Sequence, residues 1–545
     1  MLLALLIGTL NLASRVEKAK ASGTIYIRAD GSIDPPDAPI STADNVTYTF
    51  VGNISDSIVV ERDNIVVDGA GYIVEGTGSG NGTTLSGRTN ITIRNTTIKT
   101  FYTGIYLFSS NNNSVLGNNI TANNVGVWLK SSNYNSLSGN NITNNNYRGI
   151  GLGYSSNYNS ISDNNATANN QDGIGLYSSS NNSISGNSIT ANNYDGIYLY
   201  SSSGNSVSGN NITNNGIGVF LGYSSNYSGI SGNNITNNVA GIDLDYSSNY
   251  NSISDNNITA NHSGILLYSS SNNSISGNNV TANNHYGIWL DNSSINLIYH
   301  NSFIDNTKHA HSYGSVNVWD VGYPSGGNYW SNYTGVDEKS GSSQDESGSD
   351  GIGDTPYIID ANNIDHYPLM GTFRDFTVHP LSPTHTPQSI IVISNSTVTD
   401  FADYYVPTND SEQSDQLVQL FLEFSVTGQN GATGFCRLQI PKVVMNSSLY
   451  MVLVDYKQVN ATQLPNSNDV TEYLYFTYIH STHQVWVFVP EFPSYLILPL
   501  FFITTLLAVI ICKRTKLQKL KSLICTATEG QLEVSKLHGY KMGKR

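Results

Sequence analysis

From about Ile93 to Phe303 the chain repeats one pattern of apolar and polar positions. A first apolar column runs Ile93, Val115, Leu137, Ile161 and on to Ile298, at intervals of 22 to 24 residues. Five residues further on comes a second column, from Ile98, Ile120 and Ile142 to Phe303. A third segment, Gly-(Ile/Val)-x-Leu, runs from Ile105 with Leu107 to Ile288 with Leu290. Strict alternation in this segment puts Ile and Leu on one side of a strand and the residues between them on the other. Gly, Asn and Asp punctuate each piece, as turns with positive φ require. One such position reads Gly117, Gly139, Asp163, Gly186 and so on to His300.

Three short strands per 22–24-residue coil, with no helix-forming stretch, predict an all-β chain wound as a parallel β-helix. Stacked coils bury the apolar columns along one axis, and neighbours pair about 4.8 Å apart. A leucine-rich repeat has a similar period but needs a helical half, which here is Ser and Asn. A calcium-binding nonapeptide roll needs Gly-Gly-x-Gly-x-Asp, which the repeat lacks.

Outside the repeat the pattern changes. MLLALLIGTLNLAS followed by Ala19-Lys20-Ala21 predicts a signal peptide over 1–21, with an uncleaved anchor as the alternative. Less regular segments over 22–92 suit an N-terminal cap and first coils, and the regular coils occupy 93–330. An acidic, turn-rich extension follows at 331–370, then a proline-rich spacer at 371–388. Strand-like runs such as SIIVIS, LFLEFSVTG and HQVWVFV predict a β-sandwich-like domain over 389–490. The 18 uncharged residues Tyr495–Cys512 predict one transmembrane helix. Lys513 and Arg514 open a basic tail, 513–545. By the positive-inside rule that tail is cytoplasmic, which makes the protein single-pass with its bulk outside the cell.

Charge and cysteine content narrow the classes. The net charge is −15, but 513–545 alone carries nine Lys and Arg against two Glu, so the preceding 512 residues carry −22. An acidic body excludes nucleic acid as a partner, because phosphate contacts need a basic face. Cys436 is the single cysteine before the apolar run, so the exported part has no disulfide framework.

The repeat followed by GGNYW, DGIGDTPY and HYPLM, within Gly326–Met370, resembles the NosD-like right-handed β-helix family in its archaeal surface form. The resemblance covers about Ile25 to Met370. It implies a parallel β-helix related to carbohydrate-binding and sugar-hydrolysing proteins, and, through the founding member, copper delivery to a periplasmic reductase. PEFP at Pro490–Pro493, before the apolar run, also resembles an archaeal C-terminal sorting signal.

Candidate chemistry lies on the outer positions of the third strand. Tyr177, Tyr198 and Tyr200 place rings on successive coils, where they suit a sugar face or a partner protein; a self-stacking ladder is the structural alternative. Asp243 and Asp245 share that face with Asp291, and paired carboxylates are what glycoside hydrolysis needs. No Arg or His is expected beside them, which argues against a uronate lyase. Asp345, Asp350 and Asp354 around glycines suit Ca²⁺ or a solvated acidic loop. His309 and His311 alternate on one expected face and are weak copper ligands. Asn-x-Thr sequons such as Asn141, Asn211 and Asn234 suit glycosylation outside the cell. The pattern as a whole favours a non-enzymatic envelope protein that binds polysaccharide or surface proteins. A polysaccharide lyase or hydrolase and a copper-handling protein are the alternatives.

Overall fold

The computed structural model describes residues 23–378, 386–407, 418–464 and 470–489. The expected signal peptide, transmembrane run Tyr495–Cys512 and basic tail lie outside the described residues. Among the described residues no helix is long and apolar enough to cross a membrane.

The rod folds as three sheets of 14, 13 and 12 strands wound around one core, parallel except for one antiparallel strand at the N-terminal edge of each of the two larger sheets. Each sheet collects one piece of every coil. Gly-Ile-x-Leu pieces such as Asp195–Tyr200 form the 14-stranded sheet, pieces such as Ser206–Ser208 the 13-stranded one, and pieces such as Asn211–Thr213 the 12-stranded one. Coils stack in strict register: Ile184 pairs with Val207, Ile189 with Ile212, and Ile197 with Val219. All these side chains are fully buried, so each coil lays its apolar residues on those of the coil before. The turn position from Gly117 to His300 has positive φ throughout, whether it holds Gly, Asp or His.

Asparagine plays a larger part than turn-making. The Asn after that turn points into the rod and is buried in coil after coil, as at Asn164, Asn187 and Asn210. Backbone N of Asn164 donates to Asn187 Oδ1 at 2.9 Å, and Asn164 Nδ2 donates to the same oxygen at 3.0 Å. Asn187 repeats both bonds toward Asn210, and its Nδ2 also satisfies the Ile161 carbonyl. Two further Asn ladders run through Asn135–Asn159–Asn182 and Asn145–Asn169–Asn192, and a Ser ladder through Ser132–Ser156–Ser179. At each bend the backbone leaves its strand, and the ladder supplies the partners that buried amides require.

The family-like motifs at 326–370 close the C-terminal end. Asn328 continues one ladder, and Asp365 ends it by accepting from Asn328 N at 2.8 Å and from the Trp330 indole at 2.9 Å. Trp330 stacks between Phe303 and Tyr357, at 4.6 and 4.3 Å. Asn363 ends a second ladder by accepting from Asn317 N and the Trp319 indole. The extension is thus a cap over the open end of the core.

Beyond it, two five-stranded antiparallel sheets pack as a sandwich around Val392, Phe424, Leu438, Phe476 and Val485. Thr372–Val378, expected in the spacer, is instead its first strand, paired with Gln388–Ser394. The sandwich docks on the cap. Phe435 and Ile393 bury against Ile352 and Leu369, and Arg437 donates to the carbonyls of Asp350 and Pro324. Cys436 is buried in the sandwich and free.

Candidate functional site

The outer face of the 14-stranded sheet carries the chemistry. In each coil Ile and Leu point inward, and the residue between them and the one after point out. A third outward column was missed in the sequence. The glycine before each Ile sits where a Cβ would strike its neighbours: at Gly173 it would lie 2.8 Å from the Gly196 carbonyl oxygen. The backbone bends there, so the residue before the glycine turns outward. That column includes Arg148, Asp172 and Asp195 on three successive coils. The signal was available as a charged residue before the Gly of three consecutive Gly-Ile-x-Leu pieces.

Arg148 and His311 correct the expectation of no Arg or His on this face. The Arg148 guanidinium lies 4.2 Å from the Tyr147 ring centre, 4.3 Å from Tyr177 and 5.5 Å from Trp128. It is buried, and its Nε has no hydrogen-bond partner. The Trp128 ring lies over Gly151 and Gly153, where side chains would collide with it, and Phe220 lies likewise over Gly222. Tyr177 folds over Gly175 and donates its hydroxyl to Asp172 Oδ2 at 2.8 Å. Tyr198 stands 5.4 Å from Tyr177 and 6.2 Å from Tyr200, and stacks on Phe220 at 5.2 Å. The three tyrosines are half-buried and form one platform with Trp128 and Phe220.

Carboxyls border the platform. Asp195 is pushed up to about 8 by burial and by the charges of Asp172 and Asp243. Burial pushes Asp243 up to about 7, helped by Asp245. Asp172 is also raised by burial, against the opposing pull of the Tyr177 hydroxyl and Arg148. Asp243 is 9 % exposed, pairs in register with Phe220 and Leu266, and leaves Oδ1 without a partner. Asp245 accepts from Tyr246 N, and Tyr268 lies between its coil and Asp291. The face therefore offers carboxyls whose burial favours the neutral form, a cation whose Nε lacks a partner, and flat rings.

These shifts set a pH dependence. A carboxyl raised above its ordinary 3.8 contributes stability that is present below about pH 4 and is lost as pH rises through the folded value. Asp243→Asn cannot ionise. It should match the parent near pH 4 and exceed it by about 1–3 kcal/mol at pH 8. Thermal unfolding of both proteins across this range checks it; parallel curves would refute it.

The other candidates separate. His309 is buried at the end of the rod, with Nδ1 3.4 Å from Asn306 Nδ2 and Nε2 3.2 Å from Ser331 Oγ. His311 sits on the outer face against Tyr286 and Trp289. The two thus point to opposite sides, because His309 occupies the bend position held by Gly in earlier coils. Asp350 is buried, accepts from Ile352 N and Gln344 Nε2, and lies 3.8 Å from Arg437 Nη1. Asp354 accepts from the amides of Glu338 and Lys339, and Asp345 is exposed. The three carboxylates do not converge on a calcium position. Among the described residues no group of three or more His, Cys, Asp or Glu side chains could hold a metal ion. A shallow trough of about 600 Å³ runs along the turn edge between Asp163 and Asp255 over Gly186, Gly209 and Gly232.

The fold and this face define a right-handed parallel β-helix protein with an aromatic and carboxyl-lined outer surface. The family described as periplasmic copper-binding protein (NosD) matches residues 56–228 and 218–335, and the chain belongs to it. For copper, His309 and His311 are divided between inside and outside, no group of three or more described side chains could hold the ion, and the one described cysteine is in the sandwich core. No curated protein matches the chain. Among solved structures it is similar to the periplasmic alginate epimerase AlgG, at 18 % identity and TM-score 0.34, covering 50 % of this chain and 68 % of that one. The Dettilon tailspike protein is similar at 15 % identity and TM-score 0.33, covering 80 % and 88 %. The catalytic domain of a GH87 alpha-1,3-glucanase is similar at 15 % identity and TM-score 0.35, covering 50 % and 64 %.

Proposed function

We propose that this protein is a non-enzymatic, membrane-anchored β-helix displayed outside the cell, and that it binds envelope polysaccharide on the outer face between Trp128 and Asp243. The observation that carries this reading is the platform itself. The half-buried rings of Trp128, Tyr177, Tyr198 and Tyr200 present apolar surface side by side, with Ser and Asn side chains of the neighbouring turns beside them. Sugars present both an apolar face and a ring of hydroxyls, so they suit rings flanked by hydrogen-bonding side chains. The buried carboxyls act here as hydrogen-bonding groups. A hydrolase would need one accessible carboxylic acid and one ionised carboxylate facing each other across a scissile bond.

The full chain in detergent should bind on a glycan array. Replacing Tyr177, Tyr198 and Tyr200 together with alanine should weaken binding at least about tenfold, since three stacked rings contribute well over 1.4 kcal/mol. The fold should remain, because these side chains lie outside the core. Undiminished binding by the triple variant would reduce the platform to a structural ladder, and an array on which the parent binds nothing would remove the reading.

A further inference from the structure

Seven exposed tyrosines adopt a backbone conformation that tyrosine disfavours. Tyr134, Tyr154, Tyr158, Tyr223, Tyr227, Tyr246 and Tyr250 all have φ between 49° and 58°. Each is between 41 % and 67 % exposed. All lie on the turn that joins the 14-stranded sheet to the 13-stranded one. A left-handed conformation strains any residue with a Cβ, and a bulky one more than Asn or Gly. Other coils fill the position of Tyr134, Tyr158, Tyr227 and Tyr250 with Asn112, Asn181, Gly204 and Asn272, also at positive φ. Ile295 fills it in a further coil at φ 61°, so the fold needs no ring there.

Tyr154, Tyr223 and Tyr246 are stranger still. In their three coils the turn holds one residue more than in the others. The buried Ser at its centre shows it: Ser156, Ser225 and Ser248 bond back to the carbonyl three residues earlier, whereas Ser132, Ser179 and Ser202 bond back two. In each case the added residue is an exposed tyrosine, followed by an exposed serine, Ser155, Ser224 or Ser247.

The rings form strips along the rod. Tyr227 and Tyr250 stack at 5.3 Å with planes 8° apart, and Tyr134 and Tyr158 at 5.2 Å with planes 7° apart. Tyr223 and Tyr246 stack at 4.3 Å, and Tyr223 meets Tyr200 of the platform at 4.4 Å. The strip is thus continuous with the face already described. The turn tips 154–158, 223–227 and 246–250 hold only Tyr, Ser and Asn, and the nearest charges are Lys130, 4.6 Å over the Tyr154 ring, and Asp245 before Tyr246.

We infer that this tyrosine ridge is a second binding track, which holds a neutral polysaccharide chain lying along the rod axis. The inference rests on the proposed glycan-binding face and adds the class of ligand and its direction. Uncharged tips that alternate ring, hydroxyl and ring suit neutral sugars, which stack on rings and bond through hydroxyls. Paired rings on adjacent coils, with nearly parallel planes and a second pair further along the rod, suit an extended polymer better than a single sugar. The patch at Tyr134 and Tyr158 and the patch at Tyr227 and Tyr250 are three coils apart, about 14 Å. A chain that spans both gains from linked contacts, so affinity should rise with chain length.

The test uses the full chain in detergent, with cellulose, chitin, amylose and linear β-1,3-glucan as probes, each also as short oligosaccharides. The ridge variant combines Tyr134→Asn, Tyr158→Asn, Tyr227→Asn and Tyr250→Asn, the residue other coils use. It should fold with an unchanged or higher melting temperature. It should bind at least one polymer about tenfold more weakly than the parent, with binding of the short form unchanged. The Tyr177, Tyr198 and Tyr200 triple variant should instead lose both short and long forms. If the parent binds polymers and the ridge variant binds them equally, the ridge inference fails while the face survives. A ridge variant that melts lower and keeps binding marks a structural ladder. If sedimentation shows a parent dimer that the ridge variant dissolves, the ridge pairs copies of this chain and the inference is overturned. A parent that binds none of the probes removes the face and the ridge together.

Discussion

Asn187→Leu is expected to destabilise the solenoid by about 3–5 kcal/mol, although Leu is the more hydrophobic residue and the site is buried. Asn187 Oδ1 accepts from the backbone N and from Nδ2 of Asn164, and Asn187 Nδ2 donates to the carbonyls of Ile161 and Ser185 and to Asn210 Oδ1. Leucine removes all of these and leaves at least two buried groups without partners. Each orphan costs about 1–3 kcal/mol, more than the transfer of a side chain of this size returns. The damage should be local to the coils around residues 164 and 210, because each coil touches only its neighbours. Chemical denaturation should show the loss, and hydrogen exchange should show faster exchange at the amides of Asn164 and Asn187. Asn211→Ala, at the exposed position next to a ladder Asn, should change stability by less than about 0.5 kcal/mol. Equal effects at the two positions would mean that the buried ladder adds nothing beyond turn propensity.

Arg437→Met should loosen the sandwich from the cap at a cost of about 3–5 kcal/mol. The Arg437 guanidinium is fully buried, donates to the Asp350 and Pro324 carbonyls, and faces the Asp350 carboxylate. Methionine fills a similar volume but strands those acceptors and leaves the buried Asp350 without its countercharge. Burial already pushes the Asp350 carboxyl up, with Arg437 as the main opposing influence. Loss of the cation should therefore favour the neutral acid and make docking better at low pH than at pH 8. Limited proteolysis should cut the variant near Gly371, between the cap and the first sandwich strand, sooner than the parent. Unchanged proteolysis at both pH values would show that Phe435, Ile393, Ile352 and Leu369 hold the two units together without the ion pair.

The rod is legible along the chain. The columns from Ile93, Ile98 and Ile105 show where each strand lies and which side is buried, because alternation and a constant period record inside and outside directly in the chain. The sequence also placed the left-handed turn from Gly117 to His300, since few residue types tolerate that conformation. What it could not place was anything set by a bend or by a distant partner. Arg148, Asp172 and Asp195 fall outside the strict alternation of the third strand, and the pinch at the following glycine aims them outward. Asn187 and its ladder read as turn formers because Asn serves both purposes, and only the stacked coils show which amide finds a buried acceptor. His309 and His311 share a face under strict alternation, but the same bend turns His309 inward. Asp350 read as a calcium ligand because its partner, Arg437, lies 87 residues away on another unit. Local sterics are periodic and therefore legible along the chain. Burial of charge and convergence of side chains depend on contacts that only the tertiary structure brings together.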